Sequence, residues 1–236
     1  MKAFSLVLTL CLLYELCFAA VTLDEALDNL ELLETYVKEY KATSGDSTSL
    51  EKLIVSYIRE GKYSGLTWTL VCGSCPENLV SFIKTKDSEE RTNVALLRSY
   101  GEFTLPSGEK IDFVHLFAVM NGIINVGSYT SDIAGLVGWA GDLAQLFQDI
   151  QSSSGETVDK LITTARGYLG IKGGFGPADL TTDLDAPYII KLRKESGKSF
   201  AKILREYYNN KEITVAKRIK NFVSLSFPEI KIITKD

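Results

Sequence analysis

Leu23, Leu27, Leu30, Leu33 and Val37 recur at intervals of three and four residues, which lays one apolar stripe along a helix. Thr22 and Glu25 ahead of them have the spacing of a capping box, so the pattern predicts a first helix that runs to Tyr40. A polar stretch over residues 42–47 interrupts it. Thr48 and Glu51 then repeat the capping spacing, and Leu50, Leu53, Ile54, Tyr57 and Ile58 predict a second helix that stops at Gly61. Residues 63–71 have no decisive period and fit a strand or a bent helix equally.

Pro76 stands where a helix has its first residue, with Leu79, Val80, Phe82 and Ile83 following, which predicts a third helix beside Cys72 and Cys75. A fourth is expected from about Ser88 to Tyr100. Over residues 102–112, Pro106 and Gly108 separate two β-tolerant triplets, the pattern of a short hairpin. Between Asp112 and Asn125 the residues are apolar except for His115 and Asn121, so this helix is expected to be buried around most of its circumference.

Residues 132–150 carry Ala134, Gly138, Gly141 and Ala144 on roughly one side. Glycine inside a helix costs about 1 kcal/mol against alanine, so the accumulation predicts a backbone packed very close, with Ala118 and Gly122 of 112–125 as the partner surface. A further helix is expected over 156–169, then a glycine-rich loop over 170–177. Helical spacing resumes through Leu180, Leu184, Tyr188, Ile189 and Leu192, where Pro187 should kink or restart the helix. Helices over 200–208 and 213–223 follow, and the alternating tail after Pro228 suits an edge strand or a loose end. The expected fold is mainly α: a single-domain, helical bundle-like globule over 20–236 with a minor β-hairpin, its core built on 112–125 and 132–150.

Composition changes this picture at the N-terminus. Lys2, an apolar run over 3–14 and the small pair Ala19 and Ala20 follow the order of a cleaved signal peptide over residues 1–19. The run is too short to span a bilayer and Glu15 interrupts it, so secretion without a stable membrane anchor is expected. Hydrophobic residues make up 45% and charged residues 24%, ordinary proportions that argue against a disordered chain or a disulfide miniprotein. The formal net charge of −4 disfavours nucleic acid and anionic lipid as partners. Of the four cysteines, Cys11 and Cys17 lie in the leader, which leaves Cys72 and Cys75 to form a disulfide in an oxidising compartment. No Asn-X-Ser/Thr acceptor occurs.

Candidate chemistry is sparse. The Cys72-Gly-Ser-Cys75 spacing resembles the redox dithiol of thioredoxin-type proteins in those residues alone, with Val71 where that motif has Trp. His115 is the one histidine, which excludes histidine-rich metal sites and leaves a single-imidazole general base. Asp112 lies three residues before it, and Asp142 on the glycine-dotted helix is the favoured carboxylate to reach it. Asp179, Asp183 and Asp185 follow the glycine-rich loop, with Asp179 and Asp183 one turn apart on a common face; paired carboxylates suit glycoside hydrolysis or oxygen-ligated calcium. The bland alternative makes Asp179 a first-turn dipole partner and has Asp183 and Asp185 cap or face solvent, with His115 a core residue. Trp139 and Phe175 would line a sugar cleft or, equally, sit in the core. Neither a cofactor nor a metal site is expected.

Three functions are compatible with these features. The first is a secreted protein that acts by binding an extracellular partner or ligand, as a venom, saliva or gland-fluid component does. The second is an extracellular hydrolase of glycan or cell-wall material that uses His115, Asp142, Asp179, Asp183 and Asp185. The third is a membrane-active toxin. Geometry separates the first two: an enzyme gathers these acids and His115 around an accessible place, whereas a binder leaves them scattered or locked in the core.

Overall fold

A computed structural model describes residues 21–64, 73–126 and 177–226. Among them are eight helices, α1 (Leu23–Ser44), α2 (Leu50–Arg59), α3 (Glu77–Lys84), α4 (Ser88–Leu96), α5 (Phe113–Val126), α6 (Pro177–Ser196), α7 (Phe200–Tyr208) and α8 (Val215–Ser226). A two-stranded antiparallel sheet, β1 (Glu102–Thr104) and β2 (Lys110–Asp112), pairs Phe103 with Ile111. The fold is mainly α with a minor hairpin. The leader over 1–19, Cys72, the helix over 132–150 with Asp142 and Trp139, the helix over 156–169, the glycine-rich loop through Gly176 and the tail after Pro228 lie outside the described residues.

Local signals set most of the ends. Thr22 accepts from the Glu25 amide at 3.2 Å while the Glu25 carboxylate accepts from the Thr22 amide at 2.7 Å, the reciprocal box that the spacing predicts. The helix continues past Tyr40 to Ser44 because only Gly45, at φ 68°, takes up the left-handed cap. At α2 the cap is Ser49, which accepts from the Lys52 amide at 3.2 Å, rather than Thr48. Ser and Thr are nearly equivalent caps, so adjacent residues of these types leave the start ambiguous by one position. Gly61, just past α2, is a packing requirement: a Cβ there would lie 1.8 Å from the Arg98 carbonyl oxygen.

α5 and α6 form the centre. α5 packs on α2 and α6, while α6 also contacts β2 and α8. Phe113, Val114, Leu116 and Phe117 are fully buried. Rings then run from the hairpin across the molecule, Phe103 to Phe113 at 5.8 Å, Phe113 to Phe117 at 5.0 Å and Phe117 to Phe200 of α7 at 6.1 Å. Glu34 of α1 is buried and accepts from the Phe200 amide at 2.7 Å, capping α7 from another helix. Burial pushes its carboxyl pKa up against the opposing amide bonds.

Pro187 does not restart α6, which is one helix from Pro177 to Ser196. Proline inside a helix costs about 3 kcal/mol. The burial of Ala186, Pro187, Ile189 and Ile190 on both sides of the site outweighs that local penalty.

Candidate functional site

The site begins with a helix cap. Asp112 ends β2, and its Oδ1 accepts the His115 amide at 2.9 Å, the contact of an N-cap residue with the third residue of its helix. His115 is thereby fixed in the first turn of α5. Thr182 of α6 docks beside it: its hydroxyl accepts the Asp112 amide at 3.1 Å and donates to the Ala178 carbonyl at 2.7 Å. The next residue, Asp183, then stands with Oδ1 3.0 Å from His115 Nε2.

Tyr63 closes the other side of the ring, its hydroxyl 3.2 Å from Nδ1 and the ring centroids 5.8 Å apart. It lies just beyond α2, where the fully buried guanidinium of Arg59 donates to the Tyr63 carbonyl and to the Gly73 carbonyl at 2.7 Å. His115 therefore has a partner on each nitrogen, drawn from segments 52 and 68 residues away. The neutral ring satisfies both as the Nε2–H tautomer, giving to Asp183 and accepting from Tyr63; the cation donates to both.

The charges around the ring decide its state. Burial disfavours the imidazolium, but the carboxylate of Asp183, with Asp179 and Asp112 adding to it, outweighs burial and raises the His115 pKa to about 9. The same surroundings act on Tyr63, which burial first and then the charges of Asp112, Asp179 and Asp183 push up to about 12. Lys62 lies 4.0 Å from Asp112 and balances part of the negative charge. The place is partly open, the His115 and Asp183 side chains being 18% and 14% exposed.

The three aspartates of α6 thus part company. Asp179 and Asp183 serve the histidine. Asp185 is fully buried on a different side, bonded to Arg218 of α8 and accepting from the Tyr207 hydroxyl at 2.6 Å. Asp185 is thus sealed from solvent, while Asp183 is partly exposed and bonded to His115. The first partner of His115 among the described residues is Asp183, 68 residues away in sequence, and Asp112 supports the ring's backbone rather than its nitrogens. Cys75 is buried with its thiol pushed up to about 12 by burial, then by Glu60; a thiol so raised is a poor nucleophile. Tyr63 carried no signal in the sequence, because nothing in its spacing ties the end of α2 to residue 115.

Among the described residues no group of three or more His, Cys, Asp or Glu side chains is disposed to hold a metal ion. No described helix is long and apolar enough to cross a membrane.

Residues 117–233, just under half of the chain, are similar to a protein family described as YkzU uncharacterised protein. The matched segment contains Asp179, Asp183, Asp185 and Arg218 but starts two residues after His115. No curated protein and no solved structure matches the chain.

Proposed function

We propose that the chain is exported and works as an extracellular hydrolase of glycan or cell-wall material, using proton transfer at the His115–Asp183 pair. The observation that carries this reading is convergence: a lone histidine, an aspartate bonded to it at 3.0 Å, a tyrosine at 3.2 Å and two further carboxylates meet at a partly open place. Perturbed titratable groups gathered in this way are more frequent at catalytic centres than elsewhere. Asp183 acts as the orienting carboxylate and His115 as the proton reservoir, cationic at neutral pH because of its raised pKa. Export rests on Lys2, the apolar run over 3–14 and Ala19–Ala20, and in that compartment Cys72 and Cys75 pair.

The test is expression in a secretory host. The medium should hold a protein whose first residue is Ala20, and this protein should release dye from labelled chitin or peptidoglycan. Asp183→Asn should lower that release by at least a hundredfold while leaving the circular-dichroism spectrum intact. Retention of Met1, or release unaltered in the variant, would sink the reading.

One observation favours the second reading, an exported binding protein. A groove of about 240 Å³ between α6, α7 and α8 has apolar walls of Tyr188, Leu192, Ile203 and Ile213 under a rim of Lys198, Glu206 and Lys217. Under that reading Asp183→Asn changes stability alone and no turnover is found.

A further inference from the structure

We propose that the groove between α6, α7 and α8 binds a small aromatic carboxylate, with the ring on the apolar floor and the carboxylate on Lys217. This ligand class rests on the binding reading of the groove and needs no chemistry at His115. On α6 the groove uses Tyr188, Leu192 and Ser196, spaced by four and so on one stripe. Asp183 lies five residues before Tyr188, turned about 140° around the helix axis from that stripe. The two places are therefore separate.

The floor fits a ring. Leu192, Ile203 and Ile213 supply aliphatic surface, and Tyr207 presents its ring alone because its hydroxyl is donated to Asp185 at 2.6 Å. Tyr188 stands against Tyr207 with centroids 5.8 Å apart and planes at 46°, which makes one wall aromatic. A third ring laid against such a pair gains attraction beyond the area it buries. An apolar cavity of about 150 Å³ holds benzene, so a groove of about 240 Å³ admits a ring with a short side chain.

The rim fixes the head group. Glu206 is engaged by Lys198 at 2.6 Å, and the Ser196 hydroxyl donates to the Leu192 carbonyl at 2.6 Å and accepts the Lys198 amide at 3.2 Å. Donors are left over. Lys217 is exposed and meets no carboxylate among the described residues. Asn210 uses its Oδ1 on the Glu212 amide at 3.0 Å and keeps its Nδ2 hydrogens. The Tyr188 hydroxyl has no bond partner among the described residues either. α8 begins between Ile213 and Lys217, which adds the positive end of its dipole here. An ionised carboxylate carries negative charge and only accepts hydrogen bonds, so it complements this rim in both respects.

Titration of the ¹⁵N-labelled exported protein tests this, with amide shifts as the readout. 3-Phenylpropionate should give saturable shifts at Tyr188, Leu192, Ile203, Ile213 and Lys217, with a Kd of roughly 0.1–1 mM. The neutral 3-phenylpropanamide should bind about fivefold more weakly, and Lys217→Glu should weaken the acid roughly tenfold. Because Lys217 is exposed, that variant keeps its fold. Octanoate, an acid of similar size without a ring, should bind at least about threefold more weakly. An amide that binds as tightly as the acid, or undiminished affinity in Lys217→Glu, overturns the carboxylate. Octanoate as tight as the aromatic acid overturns the ring. No saturation by about 10 mM, or shifts confined to other residues, overturns the site. Dye release from labelled glycan reads His115 and not this groove, so failure of either result leaves the other standing.

Discussion

Asp183 and Asp185 stand two residues apart on α6 and occupy opposite physical regimes. Asp185 is sealed in a dry network with Arg218, Tyr207 and, through Arg218, Glu109 of the hairpin 3.0 Å away. Asp183 sits in a partly wet cluster with His115 and Tyr63. The dry network joins the hairpin, α6, α7 and α8. The wet one joins the end of α2, the start of α5 and α6. Burying an ion pair in a dry interior yields little net stability but makes each half costly to remove, whereas a pair near water keeps its ability to exchange protons. The contrast separates an aspartate locked into the packing of three helices from one that keeps contact with water.

The largest expected effect breaks the dry side. Arg218→Met leaves the Asp185 carboxylate uncompensated in the core and should cost about 3–5 kcal/mol in urea unfolding. The double variant Asp185→Leu with Arg218→Met should recover most of that loss, since a well-packed apolar pair of similar volume replaces a buried ion pair at little cost. A single variant that loses under about 1 kcal/mol would mean that water reaches Arg218 and that the two regions do not differ as described.

The next effect falls on the wet side. Asp183→Asn removes the leading cause of the raised pKa of His115, whose midpoint should drop from about 9 toward 6.5, read from the imidazole proton shifts. The sign for stability follows. A histidine whose pKa is raised on folding stabilises fully below 6.5 and loses that contribution as pH climbs through about 9. The whole step amounts to about 3 kcal/mol as an upper figure. Unfolding free energy of the wild type should therefore decline across this window and that of Asp183→Asn should stay flat. A midpoint still near 9 in the variant would transfer the role to Asp179 or Asp112.

The sequence pattern made helices legible where they carry a local signal, as the first does with its capping box at Thr22 and the apolar stripe above it. The hairpin was legible for the same reason, Pro106 and Gly108 between short β-tolerant segments. His115 and Asp183 were recognisable as candidates by type, the lone imidazole and an acid in a cluster. Their pairing was not, because it depends on how α5 and α6 dock, and Thr182 settles that through one hydroxyl bonded to the Asp112 amide. Nor could spacing divide Asp183 from Asp185. Helical geometry turns residues two apart to different sides, but which side meets Arg218 is a tertiary fact. Tyr63 was invisible because its position depends on a buried arginine holding a carbonyl, a contact with no periodic signature.

The smallest effect sharpens the comparison at the edge of the dry network. Glu109 is 21% exposed and shares Arg218 with Asp185, so Glu109→Gln should cost only about 1 kcal/mol. Its diagnostic value lies in pH. Burial raises the Asp185 pKa to about 6 against the pull of Arg218 and Tyr207, and the charge of Glu109 pushes it further in the same direction. An acid whose pKa is raised on folding binds its proton more tightly in the folded state, so stability falls as pH rises from 3.8 to about 6. Removing the Glu109 charge lowers the upper end of that window. The fall in unfolding free energy between pH 4 and 6 should therefore be shallower in Glu109→Gln than in the wild type, with the alkaline limb set by His115 unchanged. An equal change in both limbs would mean that the two networks are electrically one, which the separate partners of Asp183 and Asp185 argue against.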